Sequence, residues 1–441
     1  MIDHPGIQPD NPLIVQSDHT LLLEVHHARY EQARVAIGAF ADLEKSPEHI
    51  HTYRITPLSL WNAAASGITA KQITIALTQF AKYPVPQNVL VNVQDLAGRW
   101  GRVKLVKERG ELVVTTDDPA LLMEFSRNRA VSRFLGIQQS SRMITVPGHY
   151  RGALKQALTS IGWPVEDLAG YVEGLPLSID LYVERFSLRD YQVAAADAFY
   201  KEGSKHGGSG VIVLPCGAGK TIVGLAAMAN VEQSTLILTT GKTSIAQWQR
   251  ELLDKTTVRE TDIAQYTGEV KNIGPVTLST YQILTYRPHG SEDFPHLRLF
   301  NLREWGLIIY DEVHLLPAPV FRITAEVQAR RRLGLTATLI REDGREGDVF
   351  SLIGPKKYDL PWRDLEGRGW IAEALCTEVR CTMPRKIRMT YAAALPREKF
   401  RIAAENPGKQ TLIRQLLRRH RDTPTLIIGQ YLDQLKHIAK Q

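Results

Sequence analysis

One stretch constrains this chain more than any other. Val211-Ile212-Val213-Leu214 runs into Pro215-Cys216-Gly217-Ala218-Gly219-Lys220-Thr221 and then into an apolar, helix-forming segment, Ile222 to Ala229. A continuous apolar run without alternation is a strand covered on both faces, as in a parallel sheet flanked by helices. A glycine-rich turn between such a strand and a helix aims several backbone N–H groups and the helix N-terminus at one point, where an anion is favoured. Gly217 and Gly219 let that backbone come close to a ligand. Strand, loop and helix are the context a P-loop requires. In that reading Pro215, Cys216, Gly217, Ala218, Gly219, Lys220 and Thr221 hold a nucleotide's phosphates, Lys220 neutralises β- and γ-phosphate charge, and the Thr221 hydroxyl ligands Mg²⁺. Leu214 stands where the usual motif has its first glycine.

The second half of such a site lies farther along. Leu307-Ile308-Ile309-Tyr310 is another buried strand, and it ends in Asp311-Glu312-Val313-His314. Ligands of open parallel sheets bind beyond the carboxyl ends of the strands. Asp311 is placed to hold Mg²⁺ and Glu312 to polarise an attacking water. His314 joins Lys220, Asp311 and Glu312 as a catalytic candidate. Upstream of the P-loop, Ser187-Leu188-Arg189-Asp190-Tyr191-Gln192 carries an amide with the donor and acceptor needed to read adenine N6 and N7, and Arg189 is a second candidate nucleotide contact.

The rest of the chain frames this site. From about Leu181 the pattern is strand, loop, helix, repeated, which predicts an α/β fold with a parallel sheet over residues 181–355. Residues 1–180 read as mixed α+β. Leu13-Ile14-Val15 and Leu21-Leu22-Leu23 are short strands. Ile73, Leu77 and Phe80 mark an amphipathic helix over 68–83, capped by Thr69 and stopped by Pro84. A second helix from Gln87 to Trp100 and a hairpin around Glu108-Arg109-Gly110 follow, which is the order of a winged helix near 68–116. Arg99, Arg102, Lys104, Lys107 and Arg109 crowd that hairpin. They fit phosphate contacts and a guarded sheet edge equally well. Residues 356–441 hold a further buried-strand candidate, Thr425 to Gly429, and the start of a helix from Tyr431.

Net charge is +7, which leans toward an anionic partner. The three cysteines, Cys216, Cys376 and Cys381, form neither a disulfide framework nor a metal-ligand pattern. Met1-Ile2-Asp3-His4-Pro5 lacks the features of a signal peptide, so a reduced, cytoplasmic protein is expected.

The next motifs carry a resemblance. Arg332-Leu333-Gly334-Leu335-Thr336-Ala337-Thr338 resembles superfamily 2 motif III, and Arg341-Glu342-Asp343 directly after it resembles the RED motif of XPB helicases. Thr239-Thr240-Gly241-Lys242 with Gln247-Trp248 is similar to motif Ia; Tyr266-Thr267-Gly268 and Ser279-Thr280-Tyr281 resemble the later phosphate-contacting motifs. Leu365-Glu366-Gly367-Arg368-Gly369-Trp370-Ile371-Ala372, Asn406-Pro407-Gly408-Lys409 and the amino-terminal stretch from His51 to Asn62 also match, so the likeness to bacterial XPB-like DNA helicases spans nearly the whole chain. It implies a RecA-like first lobe, ATP and Mg²⁺ as cofactors, and 3′→5′ movement on DNA with strand separation, in DNA repair. DNA is the implied partner, with room for a nuclease or another repair protein. It also implies that Thr336 and Thr338 couple nucleotide state to movement. Arg341, Glu342, Asp343, Thr240 and Thr280 become DNA contacts, and the basic stretch Arg385, Lys386, Arg388, Arg397, Lys399, Arg401 lies where the family has a DNA-gripping thumb. Trp248 reads as helix packing rather than a base-stacking platform.

The resemblance departs from the family in one respect. Thr425 to Gly429 looks like motif IV, the opening of a partial second RecA-like lobe, and no Gln-x-x-Arg-x-Gly-Arg string follows it. That motif supplies arginine fingers, worth about 10³–10⁵ in rate where they have been removed. The sequence therefore reads as truncated by about a hundred residues, the size of a domain, and as a poor hydrolase on its own. Two alternatives stay open: another superfamily 2 translocase or RNA helicase, and a non-catalytic ATP- and DNA-binding fragment.

Overall fold

The computed structural model describes residues 7–182, 184–289, 294–328, 330–339, 344–372, 375 and 377–440, the side chains of Arg322 and Arg363 excepted. The chain divides into two compact units, Met1–Ile371 and Ala372–Gln441.

The centre of the first unit is a seven-stranded sheet in the order Ile263–Tyr266, Val276–Thr280, Thr235–Thr239, Leu307–Asp311, Arg331–Thr336, Ser209–Val213, Lys356–Asp359. Every pairing is parallel. Alternate residues of each strand feed opposite faces. Ile212, Ile237, Ile309 and Leu335 pack with the helices Asp190–Tyr200, Lys220–Val231 and Lys242–Lys255. Val211, Leu236, Ile308 and Tyr310 pack with Ala318–Glu326 and Glu346–Leu352 on the other face. Each such buried side chain contributes roughly 1.5–3 kcal/mol relative to exposure, and the apolar runs of the sequence are the two-sided burial made visible. Register then places the site: Val213 lies opposite Thr336, and Asp311 opposite Leu335.

The amino-terminal part of this unit holds two smaller sheets. In the first, Leu13–Val15, Thr20–Glu24, Ile50–Arg54 and Asp42–Lys45 pair antiparallel in that order. Helices Tyr30–Gly38, Pro57–Ala65, Ala70–Phe80 and Gln87–Ala97 share its core. The helix expected over 68–83 runs Ala70–Phe80, with Thr69 and Gln72 forming a capping box and Ile73, Leu77 and Phe80 buried. The second sheet orders Gln138–Ser140, Met143–Thr145, Glu111–Thr116, Val103–Glu108 and Val165–Asp167 over a separate core. Its central hairpin turns at Arg109 and Gly110, both at positive φ (49° and 89°), as a two-residue hairpin turn requires.

The structure corrects several expectations. The helices and hairpin expected to form a winged helix fall into different cores. Val103, Leu105 and Val114 are completed by Ile144 and Val165 from downstream strands, which local order alone does not reveal. The hairpin is also interior to its sheet where Val165–Asp167 pairs with Val103–Leu105, so Lys104 guards no edge, whereas Lys107 and Arg109 lie beyond that pairing. Arg99 and Arg102 instead flank the Trp163 ring, 4.9 and 5.3 Å from its centroid, and pair with Asp95 and Asp118 at 2.7 and 3.0 Å. The change expected near Gly354-Pro355 is no boundary, because Lys356–Asp359 adds a strand beside Ser209–Val213. Finally, Thr425 to Gly429 forms no strand. Leu426 and Ile428 are 83% and 87% exposed, since an apolar run becomes a parallel strand only with strands to pair with, and no strand among the described residues pairs with it. The second unit consists of helices Arg385–Ala393, Pro396–Ala404, Pro407–Arg419 and Leu432–Ala439. No helix among the described residues is long and apolar enough to cross a membrane.

Candidate nucleotide-binding site

The P-loop folds as its glycines allow. Gly217 and Gly219 sit at φ 81° and 79°, in the left-handed region that costs other residues strain. A Cβ on Gly219 would lie 2.6 Å from Gln192 Nε2. The loop is braced from the helix Asp190–Tyr200: the Tyr191 hydroxyl donates to the Ala218 carbonyl at 2.7 Å, and Gln192 Nε2 donates to the same oxygen at 3.1 Å. Gln192 Oε1 accepts from the Arg189 N–H at 3.0 Å. Both ends of that buried amide are thus engaged by protein, each end retaining a second N–H or lone pair. Arg189 stacks on Trp370, its guanidinium 4.3 Å from the ring centroid, and donates to the Trp370 carbonyl at 3.3 Å. Sequence reading missed this stack, because the family-matching string that holds Trp370 is remote in the chain and does not point to Arg189.

At the neighbouring strand end, Glu312 adopts φ 51°, uncommon for a residue with a side chain. This turn brings Glu312 Oε1 within 3.4 Å of Lys220 Nζ. Asp311 accepts from Trp248 Nε1 at 2.9 Å and from the Glu312 N–H at 3.1 Å. Burial pushes the Asp311 carboxyl above the usual carboxylate range; the Trp248 bond opposes that, Glu312 adds to it, and Lys220 holds it down. His314 Nδ1 meets the Thr336 hydroxyl at 2.7 Å, and that hydroxyl lies 2.5 Å from the Thr338 carbonyl, to which it donates. With its one proton so committed, the Thr336 oxygen accepts from Nδ1–H of His314. Thr336 also accepts from the Thr338 N–H at 3.1 Å. Lys220, Asp311, Glu312, His314, Thr336 and Thr338 therefore form one bonded constellation across three strand ends. A half-buried carboxylate with two neutral donors among the described residues, at the strand end whose next residue pairs with the P-loop lysine, fits a divalent cation.

The DNA candidates fare unevenly. Thr240 is half-buried beside the start of helix Lys242–Lys255, 3.5 Å from the Ser244 hydroxyl. Thr280 is 6% exposed and caps the short helix Tyr281–Leu284 by accepting from the Ile283 N–H at 3.4 Å. Arg341, Glu342 and Asp343 lie outside the described residues. In the second unit, Arg385, Lys386, Arg388, Arg397 and Arg401 are exposed on two successive helices. Trp248 is 1% exposed, and its ring fills the space left by Gly224, whose Cβ would lie 2.5 Å from it.

Comparison with known proteins decides the family. The chain is 54% identical to the DNA 3′-5′ helicase XPB of Mycobacterium tuberculosis over 98% of its own length and 78% of that protein's. It belongs to the bacterial XPB family. The XPB of Kineococcus radiotolerans gives 53% identity over 98% of this chain and 76% of that protein. The general transcription and DNA repair factor IIH helicase/translocase subunit XPB of Antonospora locustae gives 31% over 93% and 61%. Two family models match this XPB-family chain. One, described as type III restriction enzyme, res subunit, covers residues 185–341 and with them the P-loop. The other, described as helicase conserved C-terminal domain, covers residues 13–161, which are here the two smaller sheets except for the strand Val165–Asp167.

Proposed function

We propose that this XPB-family chain is an ATP-driven 3′→5′ DNA helicase or translocase acting in DNA repair. The observation that carries the reading is the bonded constellation at the sheet's carboxyl edge, where the P-loop lysine, the Asp311-Glu312 pair and, through His314, Thr336 are joined. In the proposed cycle ATP binds with its phosphates on the loop Pro215 to Thr221, and Lys220 exchanges Glu312 for phosphate oxygen. Thr221 and Asp311 would hold Mg²⁺, which neutralises charge developing on the transferred phosphoryl group. Glu312, released from Lys220, orients the attacking water. His314 then reports the state of the site to Thr336 and Thr338, at the end of the strand that leads toward the Arg341-Glu342-Asp343 element.

The test uses the full-length gene product. ATP turnover is measured with single-stranded DNA, duplex DNA and RNA, alongside unwinding of a 3′-tailed duplex and the Lys220→Ala variant. DNA-stimulated turnover that Lys220→Ala abolishes is expected. Stimulation by RNA alone would replace the DNA reading with that of an RNA helicase, and indifference to Lys220→Ala would remove the P-loop assignment.

A further inference from the structure

A second charged site lies at the opposite edge of the sheet from the P-loop. A cavity of about 80 Å³ opens between the second amino-terminal sheet and the amino ends of strands Ser209–Val213 and Lys356–Asp359, bounded by Trp100, Ser209 and Pro355. That volume holds several waters. Its wall carries Lys155, Lys201, Lys205, Lys357 and His206 against two carboxylates, Glu166 and Asp167.

Those carboxylates do not balance the cations. Asp167 is taken on both oxygens by Arg151, at 3.0 and 2.7 Å, and again by Lys155 at 3.0 Å. Behind it the fully buried Arg332 donates to the carbonyls of Leu352 and Gln328, both at 2.7 Å, and to the Ser209 hydroxyl at 3.0 Å, all of them neutral acceptors. Three buried cations therefore share one buried carboxylate. At the mouth, Lys357 Nζ donates to the His206 carbonyl at 2.9 Å, again a neutral acceptor, and Glu166 pairs with His206 at 3.6 Å. Lys201 and Lys205 are exposed on the loop above, without a carboxylate partner among the described residues. Burial, then crowding by Arg332 and Arg151 against the pull of Asp167, brings Lys155 down to about 8. Burial and Lys201 bring Lys357 to about 8 as well. Positive charge removed from water with too little counter-charge is costly, and a walled cleft with an excess of one sign concentrates the opposite ion.

We propose that this cavity is an oxyanion site of the phosphate class, distinct from the P-loop, in which one anion bridges Lys155 and Lys357 with Lys201 and Lys205 closing over it. The anion is free phosphate or a backbone phosphate of nucleic acid lying across the junction; the recognition chemistry is the same. Because Lys155 belongs to the amino-terminal part and Lys357 to the seven-stranded sheet, the bound anion would fasten the two together.

Binding of inorganic phosphate is measured by calorimetry on the full chain carrying Lys220→Ala, which removes the P-loop's cation, with chloride at matched ionic strength as reference. Thermal melting is followed in parallel. Saturable binding and a higher Tm in phosphate are expected. The Lys201→Gln/Lys205→Gln pair, on an exposed loop where folding is not at stake, should weaken binding by about tenfold, and Lys357→Met should weaken it further. Phosphate stabilises many proteins by exclusion from their surface, so a Tm gain that survives unchanged in these variants overturns the proposal, as does the absence of saturable binding. A short duplex that displaces phosphate identifies the backbone as the source; failure to displace it identifies the free anion.

Discussion

The indole Nε1 of Trp248 donates a 2.9 Å hydrogen bond to Oδ2 of Asp311. It ties the helix that follows Thr240 to the carboxylate proposed to hold Mg²⁺, and it helps keep that buried carboxyl ionised. Trp248→Phe keeps the ring in the space beside Gly224 and removes the N–H. Asp311 then rises further, so the acid limb of Mg²⁺-dependent nucleotide binding should move to higher pH. Affinity at neutral pH should fall about tenfold, in keeping with a hydrogen bond to a charged group. A fluorescent-nucleotide titration across Mg²⁺ concentration and pH reads both. An unmoved acid limb would reduce Trp248 to packing.

Gln192 braces the P-loop through the Ala218 carbonyl while its other end caps its own helix at Arg189. A residue that shapes the phosphate loop acts on every nucleoside triphosphate, whereas one that reads adenine acts on ATP alone. Gln192→Ala should therefore weaken ATP and GTP binding alike, each by roughly tenfold for a lost buried hydrogen bond. Competition titrations with the two nucleotides decide it, and a selective loss of ATP binding would assign Gln192 to reading adenine instead.

His314 and Thr336 join the nucleotide site to the strand carrying Thr338. His314→Ala removes the donor that the Thr336 oxygen accepts. In the full-length product it should lower DNA-stimulated turnover more than basal turnover, by about tenfold in their ratio, the scale of one hydrogen bond. Equal loss of the two rates would mean that His314 serves the chemistry and not the coupling.

Local patterns were legible where local physics decides them. Val211 to Thr221 announced strand, loop and helix because two-sided burial and a phosphate-sized turn leave few alternatives. Thr69, Gln72 and the buried Ile73, Leu77 and Phe80 did the same for their helix. What the sequence hid depends on partners distant in the chain. The hairpin Val103–Thr116 reads as the wing of the preceding helices until Ile144 and Val165 claim it for another core. Trp248 reads as packing, which it is, but its bond to Asp311 joins a helix to a strand end 63 residues farther along the chain. Thr280 reads as a motif hydroxyl, and its second job as the cap of the following short helix shows only once the strand end is placed. Lys155, Asp167 and Arg332 lie in three unrelated stretches, and nothing in any of them marks a shared buried charge network.

That network makes the last prediction. Asp167 is the one buried carboxylate among Arg151, Lys155 and Arg332, whose side chains are 8%, 5% and, for the whole residue, 0% exposed. Asp167→Asn keeps the shape and leaves the cations uncompensated, which should cost about 3–5 kcal/mol near neutral pH. The cost should shrink as pH rises. Lys155 has a folded value of about 8 against an ordinary 10.5, so between those two values the unfolded chain binds the extra proton and stability from this group increases with pH. In the variant Lys155 loses the partner that held its proton, so its value falls further and its neutral form is reached sooner. Urea melts near pH 7 and again about two units higher should show the difference between wild type and variant narrowing. A deficit that stays constant between the two pH values would mean that the loss comes from Arg151 and Arg332 alone, with Lys155 outside the network.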